Sequence, residues 1–291
     1  MLSQKQALEK MEVDIRLRGL SSSTLDRYLA HTATFLHYCK RPVEELNELH
    51  VRKFLEYLIK EKNLQPATVN VYSAAIRFFF AVTLNRTMNY LQIPRMKKTK
   101  ALPVILTKAE ISMLLVQSNN RKHKALLLLA YGSGLRISEI ARLKVEDIDS
   151  KSMRVFVRES KGKKDRYSLL SESTLDALRD YWRQYRPKNS EGWLFPGTNN
   201  TGHITKEGIR YALNTALKKT SITKNITVHT LRHCFATHLL EDGFNLLQIK
   251  ELLGHSSISS TLVYLHLANT TKGIKSPADQ LTENIFENKI L

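Results

Sequence analysis

The segment VHTLRHCFATHLL, residues 228–240, concentrates side chains that bind metals or anions. Within thirteen residues it holds three histidines, one cysteine and one arginine. On a helix, His229 would share a face with Arg232, three residues later, and with His233, four residues later. Two kinds of chemistry fit this spacing: a zinc site of the H-E-x-x-H type, or a cationic clamp for an anion.

The zinc interpretation lacks part of what such a site needs. A zincin helix carries a glutamate directly after its first histidine, and this chain has Thr230 there. A third ligand is also required. His238 lies nine residues after His229, on a different face, and Cys234 is turned by about 100° from its neighbour His233. We therefore expect no metal, and we expect one of the extra histidines to be packed or on the surface.

Other segments place polar groups where an anion could use them. GSGLRISEI presents Arg136 after a Gly-Ser-Gly turn, at a helix start whose backbone N–H groups also attract anions. SKGKKDR puts Lys161 at the tip of a hairpin, and LLGHSSISSTLVYLHL places His255 after a glycine and Tyr264 in a serine-capped helix. Taken singly, each has a simpler explanation: a surface arginine, a charged turn, or a half-buried tyrosine.

The net charge indicates a polyanionic partner. Lys and Arg number 45 against 27 Asp and Glu, which gives a net charge of +18. The excess is +8 in residues 1–100 and +10 in the remaining 191, so it is not confined to a basic tail. A basic excess that is so large and so evenly spread favours nucleic acid, with an anionic membrane well behind.

Length and composition are those of a soluble protein with room for two domains, at 291 residues and 42% hydrophobic residues. The N-terminus MLSQKQALEK lacks the apolar core of a signal peptide, and apolar runs such as ALLLLAY are too short to cross a bilayer. Cys39 and Cys234 lie far apart and suggest neither a disulfide framework nor a Cys-rich zinc module. We expect a cytoplasmic protein with reduced thiols and no membrane partner.

The first part of the chain, residues 1–92, predicts a bundle of four helices. Serines precede the second helix, Gly19 is a plausible C-cap of the first, and Pro66 opens the fourth. The composition then changes at IPRMKKTKALPV, where lysines, an arginine and two prolines leave no periodic apolar face. Residues 93–105 are therefore predicted to be a basic interdomain linker.

A second domain is predicted over residues 106–273, mainly helical with a small β-hairpin. Thr107 and Glu110 form a capping box at its start. The segment MRVFVRESKGKKDRYSLL has two β-rich arms around a glycine and predicts the hairpin. A tail, residues 274–291, follows with scattered apolar residues and a candidate helix.

In this order and spacing, the set resembles the tyrosine recombinases, or phage-type integrases, and within them the Xer- and integron-like branch. The resemblance covers essentially the whole chain, with residues 1–92 similar to a helical, SAM-like core-binding domain and 106–273 to the catalytic domain. No extra insert like that of integron integrases precedes HTLRH, so an integron role is not expected. The matching residues lie in GLRISEI, SKGKK, HTLRH, LLGHSS and TLVYLH: Arg136, Lys161, His229, Arg232, His255 and Tyr264, with Glu139 as the supporting acid.

The resemblance implies DNA strand cleavage and rejoining without metal, ATP or another cofactor. Arg136 and Arg232 would clamp the scissile phosphate with permanently charged forks. Tyr264 would attack it to form a 3′-phosphotyrosine. Since a tyrosine has a pKa near ~10, it needs a proton acceptor, for which His229 is the candidate. Lys161 would protonate the leaving 5′-oxygen.

The same resemblance implies double-stranded DNA as substrate and a tetramer on DNA, tied together when the tail docks on a neighbouring subunit. A partner recombinase or an accessory protein would be compatible with it. His255 would hydrogen-bond the phosphate. Ordinary caps and surface residues would equally explain the candidate DNA contacts, which are Ser22, Thr24, Arg27, Thr68, Asn70, Arg77, Lys97, Lys98 and Lys100.

Rival functions follow from the same residues. A type IB topoisomerase uses the same chemistry only to nick and reseal, and a DNA-binding protein could keep the fold without catalysis. A metallohydrolase centred on His229 and His233 is the third rival. The pattern leaves the target DNA site open, and it does not separate integration or excision of a mobile element from chromosome-dimer resolution.

Overall fold

The structure is a computed structural model that describes residues 2–89, 93, 95–97, 102–160, 164–187 and 189–268. It divides into two compact units, Met1–Lys100 and Ala101–Leu291, which we call unit 1 and unit 2. The predicted fold class is confirmed, because helices predominate beside one small sheet. Lys98, Lys100, Lys161 and the tail 274–291 lie outside the described residues.

In its described residues, unit 1 contains the four predicted α-helices. Their starts follow the expected capping chemistry: Ser3 accepts from the backbone of Gln6, Ser21 caps the second helix, Asn47 caps the third, and Pro66 opens the fourth. A π-helical segment, Phe79–Thr83, continues the fourth helix. The helices are α1 (Gln4–Leu17), α2 (Ser22–Cys39), α3 (Glu48–Lys60) and α4 (Pro66–Phe78).

An aromatic cluster fills the core of unit 1. Phe35, Phe54, Phe79 and Phe80 are each at most 1% exposed. Phe35 meets Phe54 edge-on with ring centroids 5.4 Å apart, a favoured geometry for buried rings. The bundle therefore has a core of its own, made from the apolar faces of its helices.

Unit 2 is built around one buried helix. Residues 125–130 of α6 (Arg121–Gly132) are all buried, and α6 packs against the helices Glu172–Tyr185, Lys206–Leu217 and Val228–Glu241. None of the described helices is long and apolar enough to span a bilayer. The other helices are α5 (Lys108–Val116), α7 (Ile137–Ala141), α8 (Glu172–Tyr185), α9 (Lys206–Leu217), α10 (Val228–Glu241) and α11 (Leu246–Leu253).

The sheet of unit 2 contains the predicted hairpin. Strands β2 (Arg154–Ser160) and β3 (Lys164–Leu169) pair antiparallel, with Val157 opposite Arg166. A short strand that was not predicted, β1 (Ile148–Asp149), pairs with the other edge of β2.

The segment around Tyr264 differs from the expectation of a serine-capped helix. It forms two short 3₁₀ turns, Ile258–Ser260 and Leu262–His266, and the Ser257 side chain caps the first. Serine side chains compete for backbone hydrogen bonds, and β-branched residues lose rotamer freedom in a helix. Because this stretch is rich in both, a continuous α-helix is disfavoured.

Candidate active site

A glycine turn places Arg136 at the start of α7. Gly134 has a φ of +59°, and a Cβ there would lie 2.3 Å from the ring of Phe235. The turn therefore requires glycine for two independent reasons. It also presents the Gly134 carbonyl to Arg232, whose Nη1 donates to it at 2.7 Å.

Glu139 is the centre of an arginine cluster, with Arg136, Arg166 and Arg232 around it among the described residues. Its Oε1 accepts from Arg136 Nη1 at 2.6 Å. Arg166 binds it through both Nη atoms, at 2.9 and 2.8 Å. Arg232 Nη1 lies 3.6 Å from Oε2. Burial alone would raise the pKa of Glu139, but hydrogen bonding and charge from Arg166 and Arg136 lower it to about 2. The carboxylate is therefore ionised at neutral pH.

The C-terminus of α11 faces the same arginines. The carbonyls of residues 252–254 accept, in order, from Arg166 Nε at 2.8 Å, Arg232 Nη2 at 2.5 Å and Arg136 Nη2 at 3.5 Å. These carbonyls have no partner inside the helix and carry the negative end of its dipole. Gly254, at a φ of +62°, ends the helix in the left-handed conformation. The helix end and Glu139 together offset the clustered positive charge.

Arg136 and Arg232 differ in accessibility. The side chain of Arg136 is 21% exposed, whereas Arg232 is 0% exposed. Burial, followed by the charge of Arg136, lowers the pKa of Arg232 to about 9, so the guanidinium still carries its charge at pH 7. Its Nε finds no hydrogen-bond partner within the described part of the chain. The cluster therefore keeps an unused donor, as an anion-binding pocket would.

The histidines predicted for the site lie beside this cluster and are neutral at pH 7. His229 is exposed in the first turn of α10. Partial loss of hydration lowers its pKa, and so do the charges of Arg232 and Arg136. Burial, with Arg232 and Arg136, lowers the pKa of His255 to about 4. His255 Nδ1 lies 2.9 Å from the Thr261 hydroxyl, which orients the ring. The positive charge of the site thus comes from arginine.

Tyr264 lies below the arginine cluster and its neighbouring histidines, and it is 1% exposed. Its ring belongs to an apolar cluster with Phe235 and Leu253. Burial raises its pKa, against the opposing effect of Arg232 and Arg136. The ring of His255 is nearly parallel to it, at 13° and 6.5 Å between centroids.

The hydroxyl of Tyr264 contacts His233, a histidine to which sequence reasoning gave no role in phosphate chemistry. His233 Nδ1 lies 3.0 Å from it. The His233 ring also contacts His229 edge-on, with centroids 4.5 Å apart. Burial, then His229 and Arg232, lower the pKa of His233 to about 4. The helical spacing of His229 and His233 was visible in the sequence, but nothing there indicated that Tyr264 would reach the second of them.

Arg166 is the second residue that sequence reasoning missed. Its side chain is 8% exposed, and it lies on β3 two residues before buried Ser168 and four before buried Leu170. The alternation of a strand puts these three on one face, directed into the domain. An arginine on an inward face needs a buried acid, and that signal could have paired it with Glu139.

His229 and His233, the pair for which a zinc site was considered and not expected, do lie in contact with each other. In the part of the chain that is described, no group of at least three His, Cys, Asp or Glu side chains comes together in a way that could hold a metal ion. His238, the third histidine of the motif, instead lies 3.0 Å from the Leu106 carbonyl and 3.0 Å from the Tyr131 hydroxyl.

The described candidate DNA contacts of unit 1 have different surroundings. Thr24, Arg27 and Asn70 line one pocket of about 350 Å³, together with Arg95, which was not among the candidates. Asn70 also exchanges two hydrogen bonds of 2.9 Å with the backbone of residue 96.

Arg77 donates to the carbonyl of Ile93. Asn70 and Arg77 therefore have a structural explanation, since both hold the chain after residue 92 against α4. The remaining described candidates are exposed: Ser22, Thr68 and Lys97.

Comparison with known proteins identifies relatives over nearly the whole chain. The profile of the phage integrase family matches residues 95–271, and that of the phage integrase N-terminal SAM-like domain matches residues 7–90. The Sinorhizobium fredii protein y4qK, whose name places it among integrases/recombinases, is 40% identical over 276 residues, which cover 94% of this chain and 88% of the relative. Tyrosine recombinase XerD of Oceanobacillus iheyensis is 36% identical over 270 residues, covering 86% and 89%.

A solved structure supports the fold. The crystal structure of a lambda integrase dimer bound to a COC′ core site superposes with a TM-score of 0.70 and 19% identity. The match covers 88% of this chain and 96% of that one.

Proposed function

The chain belongs to the phage integrase family, the tyrosine recombinases, and from this premise we propose that it cleaves and rejoins DNA strands site-specifically through a phosphotyrosine on Tyr264. The observation that carries the assignment of the site is the position of Tyr264 beside the arginine cluster around Glu139. A phenol next to fixed positive charge is what an attack on a phosphodiester requires.

Double-stranded DNA is the substrate. The net charge of +18 supplies the attraction to a polyanion. Among the similar solved structures, the lambda integrase dimer is bound to a core site. We place the reaction in the cytoplasm, where a DNA substrate is available to it.

The arginines stabilise the transition state in this proposal. Negative charge develops on the non-bridging oxygens of the phosphate, and guanidinium groups held in place before the reaction meet it without reorganising. Arg136 is the accessible member of the cluster, and Arg232 lies behind it with an unused Nε donor. Together they would supply charge that metal ions supply in many other phosphoryl transferases.

The remaining roles follow the family resemblance. Tyr264 forms the 3′-phosphotyrosine, and the P–O5′ bond breaks. Lys161, outside the described residues, is the candidate acid for the leaving 5′-oxygen, and His255 is the candidate phosphate donor. His229 is the family's candidate proton acceptor. Because Tyr264 is 1% exposed, the groups that cover it have to move aside when DNA binds, before the phenol can attack.

A suicide substrate tests the assignment of Tyr264. A nick next to the cleavage point lets the short 5′-hydroxyl fragment diffuse away, so the covalent protein–DNA adduct accumulates and is seen on a denaturing gel. We expect the adduct with the wild-type chain and none with Tyr264→Phe. Tyr211→Phe, which changes a tyrosine that is 65% exposed on α9, is the matched control and should form it normally. An adduct in Tyr264→Phe would contradict the assignment.

Two further measurements separate the rival functions. Full cleavage in EDTA is expected, and its loss would favour the metallohydrolase. An assay with two target sites should give recombinant products, whereas a topoisomerase would only relax or reseal the DNA. We also propose that four protomers assemble on DNA through the tail 274–291, which a size measurement of the DNA complex tests.

A further inference from the structure

Among the described residues, the hydrogen-bond partner of the Tyr264 hydroxyl is His233, at 3.0 Å from its Nδ1. We infer that His233, and not His229, accepts the proton of Tyr264 during strand cleavage. The inference rests on the proposed function, because it takes Tyr264 to be the nucleophile. A general base has to lie within hydrogen-bond distance of the proton that it takes, and His233 meets this condition before DNA binds.

The protonation of His233 suits this role. Its pKa of about 4 keeps the ring neutral at pH 7. A neutral imidazole has one nitrogen that donates and one that accepts. With the hydrogen on Nε2, the Nδ1 lone pair accepts from the phenol. A protonated ring would carry a hydrogen on both nitrogens and could not act as the base.

The position of His229 suits a different role. It is exposed in the first turn of α10, and its ring contacts the ring of His233, which is less exposed. There it can meet a DNA phosphate, while His233, half-buried behind it, contacts the phenol. Of these two histidines, His229 would thus contact the substrate and His233 would contact the nucleophile.

The arginines near the pair favour the ionised phenol, although Arg232 also lowers the pKa of His233. Arg232 and Arg136 both oppose the effect of burial on the pKa of Tyr264. They would stabilise the negative charge that grows on the phenol oxygen as its proton leaves. In the described part of the chain, the charged and titratable groups that face Tyr264 and His233 include Arg136, His229, Arg232 and His255.

The step conserves atoms and charge. The O–H bond of Tyr264 breaks, and its proton goes to Nδ1 of His233. The phenol oxygen forms a bond to phosphorus, and the P–O5′ bond breaks. The leaving 5′-oxygen takes a proton from a separate acid, for which Lys161 is the candidate. In religation the proton held by His233 returns to the phenol.

Single-turnover cleavage of the suicide substrate by the full chain tests this step. We expect His233→Phe to cleave about 100-fold more slowly, the lower range of what a general base contributes. Without an acceptor the reaction depends on solvent to remove the proton. Its rate should therefore rise about tenfold per pH unit between pH 7 and 9, while the wild-type rate changes much less.

A substrate with sulfur in place of the 5′-bridging oxygen separates the base from the acid. The leaving thiolate needs no proton, so this substrate relieves the loss of an acid but not the loss of a base. The defect of His233→Phe should persist on it, whereas a defect of Lys161→Ala should largely disappear. Relief of the His233→Phe defect would overturn the inference.

Two other variants make the test independent of folding. His233→Asn keeps an amide close to the position of Nδ1, which can hydrogen-bond but cannot take the proton. It should be nearly as slow as His233→Phe, and a rate within threefold of the wild type would overturn the inference. His266→Phe, an exposed histidine on the same 3₁₀ turn as Tyr264, should cleave normally. Unchanged DNA affinity confirms that each variant is folded.

The outcome also distinguishes the two proposals. If Tyr264→Phe still forms the adduct, the proposed nucleophile is wrong. If Tyr264→Phe forms none while His233→Phe cleaves at the wild-type rate, the nucleophile stands and the assignment of His233 is wrong. If the cleavage rate of His229→Phe rose about tenfold per pH unit and that of His233→Phe did not, His229 would be the proton acceptor instead.

Discussion

The carboxylate of Glu139 links the arginines of the candidate site. Glu139 bridges Arg136 and Arg166, and its side chain is only 6% exposed. Like charges brought so close would repel one another strongly in a buried environment. The clustering of these arginines therefore depends on Glu139 and on the carbonyls at the end of α11.

The pH dependence of stability tests the role of Glu139. Its pKa falls from an ordinary 4.5 to about 2 on folding, so its stabilisation is present above pH 4.5 and is lost as the pH falls towards 2. Glu139→Gln should lower the free energy of unfolding by about 3 kcal/mol at pH 7 and by less than half as much near pH 3. Urea unfolding at both values measures this. Glu207→Gln, in an exposed pair, is the control, and an equal loss at both pH values would contradict the prediction.

Arg166 is predicted to position the cluster without touching DNA. Arg166→Met keeps much of the side-chain volume but leaves Glu139 without its two-pronged partner. Breaking a buried pair in this way costs about 3 kcal/mol or more in the free energy of unfolding. We also expect at least tenfold slower cleavage with nearly unchanged DNA affinity.

Arg179→Met, in an exposed pair on α8, is the control for this change and should affect neither measurement. A large loss of DNA affinity in Arg166→Met would show instead that Arg166 contacts the substrate.

At the scale of elements, the turn between α6 and α7 is tightly constrained. Gly134 combines a positive φ with contact to the Phe235 ring. Its carbonyl receives Arg232, and Arg136 follows two residues later. The geometry of both candidate phosphate ligands thus depends on this one turn.

Substitutions at two glycines distinguish the stability cost of backbone strain from the stability cost of a steric clash. Gly192→Ala changes a glycine at a φ of +73° with nothing within 4 Å of the added Cβ, so it should cost only the strain of about 1–2 kcal/mol. Gly134→Ala should cost more, by about 1–3 kcal/mol, because Phe235 must move. It should also slow cleavage, since Arg232 and Arg136 shift. Thermal unfolding and adduct formation measure the two effects, and equal losses in the two variants would contradict the prediction.

The sequence predicted most helices of this chain but not the form of the Tyr264 segment. Caps and apolar periodicity are local, and they located α1–α4 and the start of α5. The serines and β-branched residues around Tyr264 disfavour a continuous α-helix, but the turns that replace it also pack against Phe235, 29 residues earlier in the chain. The motif around Tyr264 therefore marked the candidate nucleophile but did not predict the conformation that holds it.

For the whole molecule, the distribution of charge predicts how it binds DNA. Both units carry excess positive charge, and the pocket that contains Thr24 and Arg27 gives unit 1 a specific candidate contact surface. Contacts to phosphates release counterions, so affinity should fall linearly with salt on logarithmic axes.

Fluorescence anisotropy over a salt series tests this surface. Arg27→Gln should weaken binding to all sequences alike and reduce the salt slope by about one. Arg16→Gln, which changes an exposed arginine paired with Glu12, should leave the slope unchanged. A slope for Arg27→Gln equal to that of the wild type would remove Arg27 from the contact surface.

The sequence by itself determined the helical character, the small hairpin and the basic charge, and its resemblance to the tyrosine recombinases supplied the candidate phosphate ligands and the candidate nucleophile. These depend on residue types and short spacings, which can be read along the chain. Only the tertiary structure decided which groups meet: Arg166 with Glu139, 27 residues apart, His233 with Tyr264, 31 apart, and Arg232 with the Gly134 carbonyl, 98 apart. The physical reason is that burial, which lowers the pKa values of the histidines and makes a carboxylate bind several arginines at once, exists only after distant segments have packed together.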